Sequence, residues 1–109
     1  MEDLEQIAFQ IITGAGTARS AYMEAVRRAK AGDFDGAGKQ IAQGDAAFAE
    51  GHRAHAKLLQ LEAGDGNVPM GLLLVHAEDH LMGAENFKEI ALEFIEVHHQ
   101  LRELRGKLR

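Results

Sequence analysis

Two histidines four residues apart carry the most chemistry in this 109-residue chain. They lie in the stretch His76-Ala77-Glu78-Asp79-His80. On a helix, steps of three and four residues put His76, Asp79, His80 and Gly83 on one side. Two imidazoles and a carboxylate would then interrupt an apolar seam, and burying them without partners would be costly. Four readings fit such a cluster. The histidines are hydrogen-bonded core residues. Or they share a zinc ion, as His at i and i+4 can, although the metalloprotease pattern needs Glu directly after the first His and Ala77 stands there. Or they belong to a di-metal carboxylate bundle, for which the chain offers only one Glu-x-x-His pair, Glu96 to His99. Or one neutral imidazole attacks a phosphoryl group while its neighbours fix its tautomer.

The elements that must position this cluster are helical, because no segment shows sustained two-residue alternation. A first helix is expected from about Asp3 to Ala31, with the stripe Leu4, Ala8, Ile11, Ala15, Ala18, Tyr22, Ala25 and Ala29. Gly32 ends it, and Asp33 offers an oxygen to cap the next helix. A second helix runs to about Glu62 with the stripe Phe34, Ala37, Ile41, Gly44, Phe48, Gly51, His55 and Leu58. Residues 63–67 read as a loop. Pro69 suits the first turn of a third helix. Along that helix Leu73, His76, His80, Gly83, Phe87, Ile90, Phe94, Val97, Leu101, Leu104 and Leu108 keep a three-four rhythm. About 40 residues would span about 60 Å. That length exceeds what one small globule covers, so a coiled-coil-like bundle shared between subunits is expected. Glycines 14, 16, 36, 38, 44 and 51 fall inside helical pattern. Each costs about 1 kcal/mol relative to alanine, and close helix approach is the expected compensation.

Bulk composition narrows the function. Twelve basic against seventeen acidic residues give a net charge of −5, the wrong balance for displacing counterions from nucleic acid. The basic run from Arg102 to Arg109 alternates with leucines and reads as a solvated helix end. There is no cysteine, hence no disulfide framework and no thiolate. The acidic start Met1-Glu2-Asp3 is unlike a signal peptide. The longest strongly apolar run, 72–75, is far short of the ~20 residues of a membrane span. One domain over 1–109, located in the cytoplasm and not inserted in a membrane, is expected.

The chain resembles a known family at four places. Residues 75–82, Val-His-Ala-Glu-Asp-His-Leu-Met, resemble the "VHAQDHLM" signature of the phosphotransferase-system (PTS) enzyme IIA components of the lactose/cellobiose (chitobiose) class. Ile11-Ile12 through Gly14-Ala15-Gly16 to Ala18-Arg19-Ser20 is similar to its "II-x-x-AG-x-ARS" segment. Ala29-Lys30-Ala31-Gly32-Asp33-Phe34 resembles "AK-x-GDF", and Glu62-Ala63-Gly64 resembles the start of the following loop.

The resemblance implies an all-α, three-helix antiparallel bundle, spectrin-like and up-down-up, that assembles as a trimer of nine helices. It implies that His76 accepts a phosphoryl group from the carrier HPr and passes it to a cysteine of a IIB component. A IIC membrane channel couples that transfer to disaccharide uptake. It implies that Asp79 from three copies holds a metal ion, commonly Mg2+, at the three-fold axis; three carboxylates there would repel unless protonated or bridged by a hard cation. His80 is a candidate donor to the phosphoryl oxygens. His52 fits the histidine of the family's "AH-x-x-Q-T", with Gly51 in place of the alanine, and is a second candidate contact. No Lys or Arg lies near His76 in sequence, Lys88 being three turns away, so a cation must come from another helix, another subunit or a partner.

Besides Gly51, four positions depart from the pattern. Glu78 stands for glutamine, about 200° around the helix from His76 and so facing elsewhere. Gly83 removes a hydroxyl. His55-Ala56 replaces Gln-Thr, and His55 is a substitute donor. These departures keep an alternative open, a catalytically silent regulatory or binding trimer that retains the fold.

Overall fold

A computed structural model describes residues 3–64 and 67–108. Those residues form three helices: α1 (Leu4–Lys30), α2 (Phe34–Gly64) and α3 (Leu72–Lys107). Asp3 caps α1, its Oδ1 accepting the Gln6 N–H at 2.8 Å. Gly32 makes the first reversal with φ 90°, a left-handed conformation suited to glycine. Asp33 then caps α2 by accepting the Gly36 N–H at 2.9 Å, as its position after the glycine predicts. The third helix starts later than expected. Pro69 stays outside it, and Gly71, extended at φ −108° and ψ 175°, is the N-cap. Asp65 and Gly66, in the expected second loop, lie outside the described residues.

The helices run up, down and up. Passing along α2 from Phe34 through Asp45 to His55, the partners on α3 retreat from His99 through Lys88 to Glu78, so these two helices are antiparallel. Helix α1 is central and packs along both others. Its buried line contains Ala8, Ile11, Ala15, Ala18, Tyr22, Ala25 and Ala29, as the sequence predicts, plus Ile7 and Gly14, while Leu4 of the predicted stripe is only half-buried.

Helix α3 corrects the sequence reading. The stripe expected to be its seam is not the one buried within the chain. The buried residues are Leu74, Ala77, Leu81, Ala84 and Ala91, one position later, or about 100° around the axis. Ile90, Phe94, Val97, Leu101, Leu104 and Leu108 are exposed. The core therefore uses mostly small residues of α3, which allow α1 to approach closely, and leaves the large ones facing outward.

The glycines divide the same way. A Cβ on Gly14 would meet the backbone of Gly51 and Ala47, and one on Gly44 would meet the Tyr22 ring. Gly16 and Gly38 face open space, so close helix approach does not account for them.

One polar network joins all three helices. The buried Tyr22 hydroxyl donates to Asp45 Oδ1 at 2.7 Å, and Lys88 Nζ reaches the same oxygen at 2.8 Å. Burial pushes the Asp45 carboxyl up, but hydrogen bonds from Lys88 and Tyr22 and the Lys88 charge outweigh it, leaving it below the ordinary carboxylate value. Burial first, then the Asp45 hydrogen bond and charge, raise the Tyr22 phenol well above its ordinary range. For a depressed carboxyl the stabilisation is present above the ordinary pKa and lost as pH falls through the folded value. Asp45→Asn should therefore lower the urea midpoint at pH 7, and the gap to the unsubstituted chain should narrow as pH falls below the ordinary carboxylate value. A gap independent of pH would contradict this account.

Candidate functional site

His76 is exposed in the second turn of α3, and His80 is half-buried one turn further on. Their Nε2 atoms are 3.0 Å apart, and the rings meet edge to face at 4.3 Å and 83°. A hydrogen bond between two imidazole nitrogens needs one protonated nitrogen and one lone pair. Two imidazolium rings have no acceptor, so at least one ring is neutral in this arrangement. If His80 carries its proton on Nε2, the facing nitrogen of His76 is a lone pair and the His76 proton sits on Nδ1. That tautomer makes His76 Nε2, the more exposed of the two, a nucleophile with a donor already beside it.

The other expected residues are placed differently. Asp79 is exposed between Val75 and Met82, also exposed. Among the described residues it has no hydrogen-bond or ion-pair partner. It belongs to the outward face of α3. His52 is exposed on α2, stacked on Phe48 at 6.1 Å and 6.4 Å from His55. Among the described residues its ring contacts run along α2 and not to the α3 pair. The structure thus brings His76 and His80 together and joins neither Asp79 nor His52 to them. No group of three or more His, Asp or Glu side chains suited to a metal converges among the described residues. One Asp79 is a lone carboxylate; a cation would be held there only by carboxylates from several copies.

Glu78 faces away from His76, as its position predicts, and meets α2. Its carboxylate lies 2.7 Å and 3.0 Å from His55 Nε2 through its two oxygens. His55 is therefore committed to Glu78, which corrects its reading as a substitute phosphate donor. His55 and Glu78, the two positions that depart from the family's glutamines, face each other across the α2–α3 contact. Both positions were visible in the sequence; their pairing depends on the antiparallel register.

Sequence reasoning also passed over Arg19 as a source of positive charge. Its guanidinium lies 5.5 Å above the Phe87 ring, on the side of α3 that carries His80 and about 10 Å further along the helix. Lys88 is occupied by Asp45. Arg19, on α1, places a cation on this side of the molecule.

Residues 6–99 match the family described as "PTS system, Lactose/Cellobiose specific IIA subunit". The chain belongs to this family and is an enzyme IIA component, a phosphotransferase. It is 43% identical over 105 residues to the lichenan-specific phosphotransferase enzyme IIA component of Bacillus subtilis (strain 168), covering 96% of each chain. It is 39% identical over 101 residues to the N,N'-diacetylchitobiose-specific EIIA component of Escherichia coli (strain K12), covering 93% of this chain and 87% of the other. The fold is similar to the crystal structure of the PTS cellobiose-specific enzyme IIA from Bacillus anthracis, with TM-score 0.88, 38% identity and coverage of 94% and 95%. It is also similar to a chain in the solution structures of the IIA(chitobiose)–HPr complex of the Escherichia coli phosphotransferase system, with TM-score 0.81, 37% identity and coverage of 94% and 99%. No helix of the described residues is long and apolar enough to cross a membrane.

Proposed function

We propose that His76 is the phosphoryl acceptor of this enzyme IIA component, taking the group from the phosphohistidine of HPr and delivering it to a cysteine of a IIB component. The observation that carries the reading is the 3.0 Å contact between an exposed His76 Nε2 and His80 Nε2. In the uptake step the His76 Nε2 lone pair forms a bond to phosphorus. The donor's N–P bond breaks, and its electron pair returns to the donor imidazole. The His80 N–H, which had faced that lone pair, turns to a phosphoryl oxygen. In delivery the IIB thiolate attacks phosphorus and the His76 N–P bond breaks, restoring the lone pair. Such transfers depend on positioning and on stabilising charge on the equatorial oxygens, so an exposed histidine that two partners reach in turn is sufficient. A relative of this chain solved with HPr supports the choice of donor. With a IIC membrane channel the pathway would serve disaccharide uptake from the cytoplasmic side.

The outward apolar face of α3 supports a homotrimer. Leu72, Val75, Met82, Ile90, Val97, Leu101, Leu104 and Leu108 are all exposed in the single chain, a patch of the kind that marks an interface. Asp79 lies on this face. Three copies around one axis would bring three carboxylates together, a donor set that suits Mg2+. The ion, when bound, would neutralise their repulsion.

The test is 31P NMR of the phosphorylated chain with peptide mapping. The phosphoryl group should be on Nε2 of His76. His80→Ala should slow uptake by about 10- to 100-fold, the loss of one hydrogen bond to a charged group, with His80→Gln recovering part of the rate through its amide donor. Phosphate on His80, or unchanged uptake in His80→Ala, would contradict these roles.

A further inference from the structure

We propose that His76 and His80 together form an inhibitory site for a divalent cation that prefers nitrogen ligands, with Zn2+ as the type case, and that metal and phosphoryl group exclude each other there. The inference rests on His76 being the phosphoryl acceptor and adds to that reading a ligand that switches the acceptor off. The geometry is close to that of a chelate. The two Nε2 atoms converge at 3.0 Å from positions one turn apart on a single helix, the spacing at which two histidines share a zinc ion. Zn–N bonds of about 2.0–2.1 Å at a tetrahedral angle place two ligand nitrogens about 3.3 Å apart. A shift of a few tenths of an ångström and a tilt of the exposed His76 ring therefore convert the hydrogen-bonded pair into a metal-binding pair. His52 and His55 offer no comparable pair, since their rings are 6.4 Å apart and His55 is taken by Glu78.

The chemistry of the exchange is simple. In the hydrogen-bonded pair one Nε2 carries a proton and the other a lone pair. Zinc takes a lone pair from each, so His80 gives up its Nε2 proton to solvent and takes one on Nδ1. Both rings stay neutral, and water fills the remaining metal positions. Arg19 lies over Phe87, about 10 Å beyond His80 along the helix, and Lys88 is paired with Asp45, so neither opposes a cation at the rings. Selectivity follows from the ligand atoms. Imidazole suits Zn2+, Cu2+ and Ni2+, whereas Mg2+ takes oxygen ligands, so an excess of Mg2+ does not fill this site. Bound zinc occupies the lone pair that attacks phosphorus and removes the His80 donor from the phosphoryl oxygens. Conversely, a phosphoryl group on His76 Nε2 removes one of the two ligands.

Titration calorimetry of the full chain with ZnCl2 in excess Mg2+ tests the site itself. The unsubstituted chain should bind zinc with a Kd of about 10 µM, near the square root of the constant of a four-ligand site, because two protein ligands are present. His76→Ala and His80→Ala should each weaken binding at least tenfold, and His99→Ala, which alters a histidine beside Glu103, should leave it unchanged. Uptake from isolated phospho-HPr then tests the exclusion. At a zinc concentration tenfold above the Kd, uptake by the unsubstituted chain should slow about tenfold. His80→Gln, compared with its own rate without zinc, should slow only about twofold, and any effect of zinc on HPr is common to both chains. No zinc binding, or binding equally strong in His76→Ala and His80→Ala, would overturn the proposal and leave the acceptor reading standing. Zinc binding lost in both variants, but with uptake at its full rate under saturating zinc, would place the acceptor elsewhere and overturn both.

Discussion

His76→Ala should abolish phosphoryl uptake from phospho-HPr while leaving the helix content and the urea midpoint of the chain unchanged. The reason for both halves is position. His76 is exposed, so removing its ring opens no cavity and frees no buried partner. Its Nε2 is the nucleophile, and alanine has no atom to replace it. His80 does not take over, because it is half-buried and one turn further along α3. The effect should therefore be complete loss and not a slower rate, in contrast to the graded loss expected for His80→Ala. An H76A chain that still acquires phosphate at a comparable rate would remove His76 from the centre of the mechanism.

Gly14→Ala should destabilise the bundle by about 3 kcal/mol, at the top of the usual overpacking range. The new Cβ would stand 2.7 Å from the Gly51 nitrogen, 2.8 Å from its Cα and 2.9 Å from the Ala47 carbonyl oxygen. All three obstacles are backbone, so no rotamer change relieves them and α1 and α2 must move apart. The same pair gives an internal control. A Cβ on Gly51 meets its neighbours at 3.4–3.5 Å, near ordinary contact, so Gly51→Ala should cost far less. At Gly16 a methyl group enters open space, and Gly16→Ala should be neutral or stabilise by up to about 1 kcal/mol through helix propensity. Urea unfolding of the three variants checks the order. A Gly14→Ala chain as stable as Gly51→Ala would show that the helices are not packed backbone to backbone.

These residues also mark how far the sequence could be read. The seam of α1 was legible because its apolar residues, from Ala8 to Ala29, recur at helical spacing with polar neighbours between them. The reversal at Gly32-Asp33 was legible because the two residues have separate physical jobs, a left-handed turn and a side-chain cap. On α3 the regular stripe is not the face that packs within the chain. Leu73, Phe87, Ile90, Phe94 and Val97 form a regular stripe, but a close-packed helix interface selects small residues, and Ala77, Ala84 and Ala91 carry it. Periodicity reports that a face is apolar without saying whether its partner is the same chain or another copy. The histidine pair was legible from its i, i+4 spacing. The His55–Glu78 pair and the Tyr22–Asp45–Lys88 network were not, since each depends on the register between helices far apart in sequence.

The most direct test of the central claim is intact mass after incubation with phosphoenolpyruvate, enzyme I and HPr, with the His76→Ala chain in parallel. The unsubstituted chain should gain the mass of one phosphoryl group, lost again in acid as a phosphohistidine is, and the variant should gain none. No gain in the unsubstituted chain, or an equal gain in both, would contradict the assignment of His76 as the residue that carries phosphate.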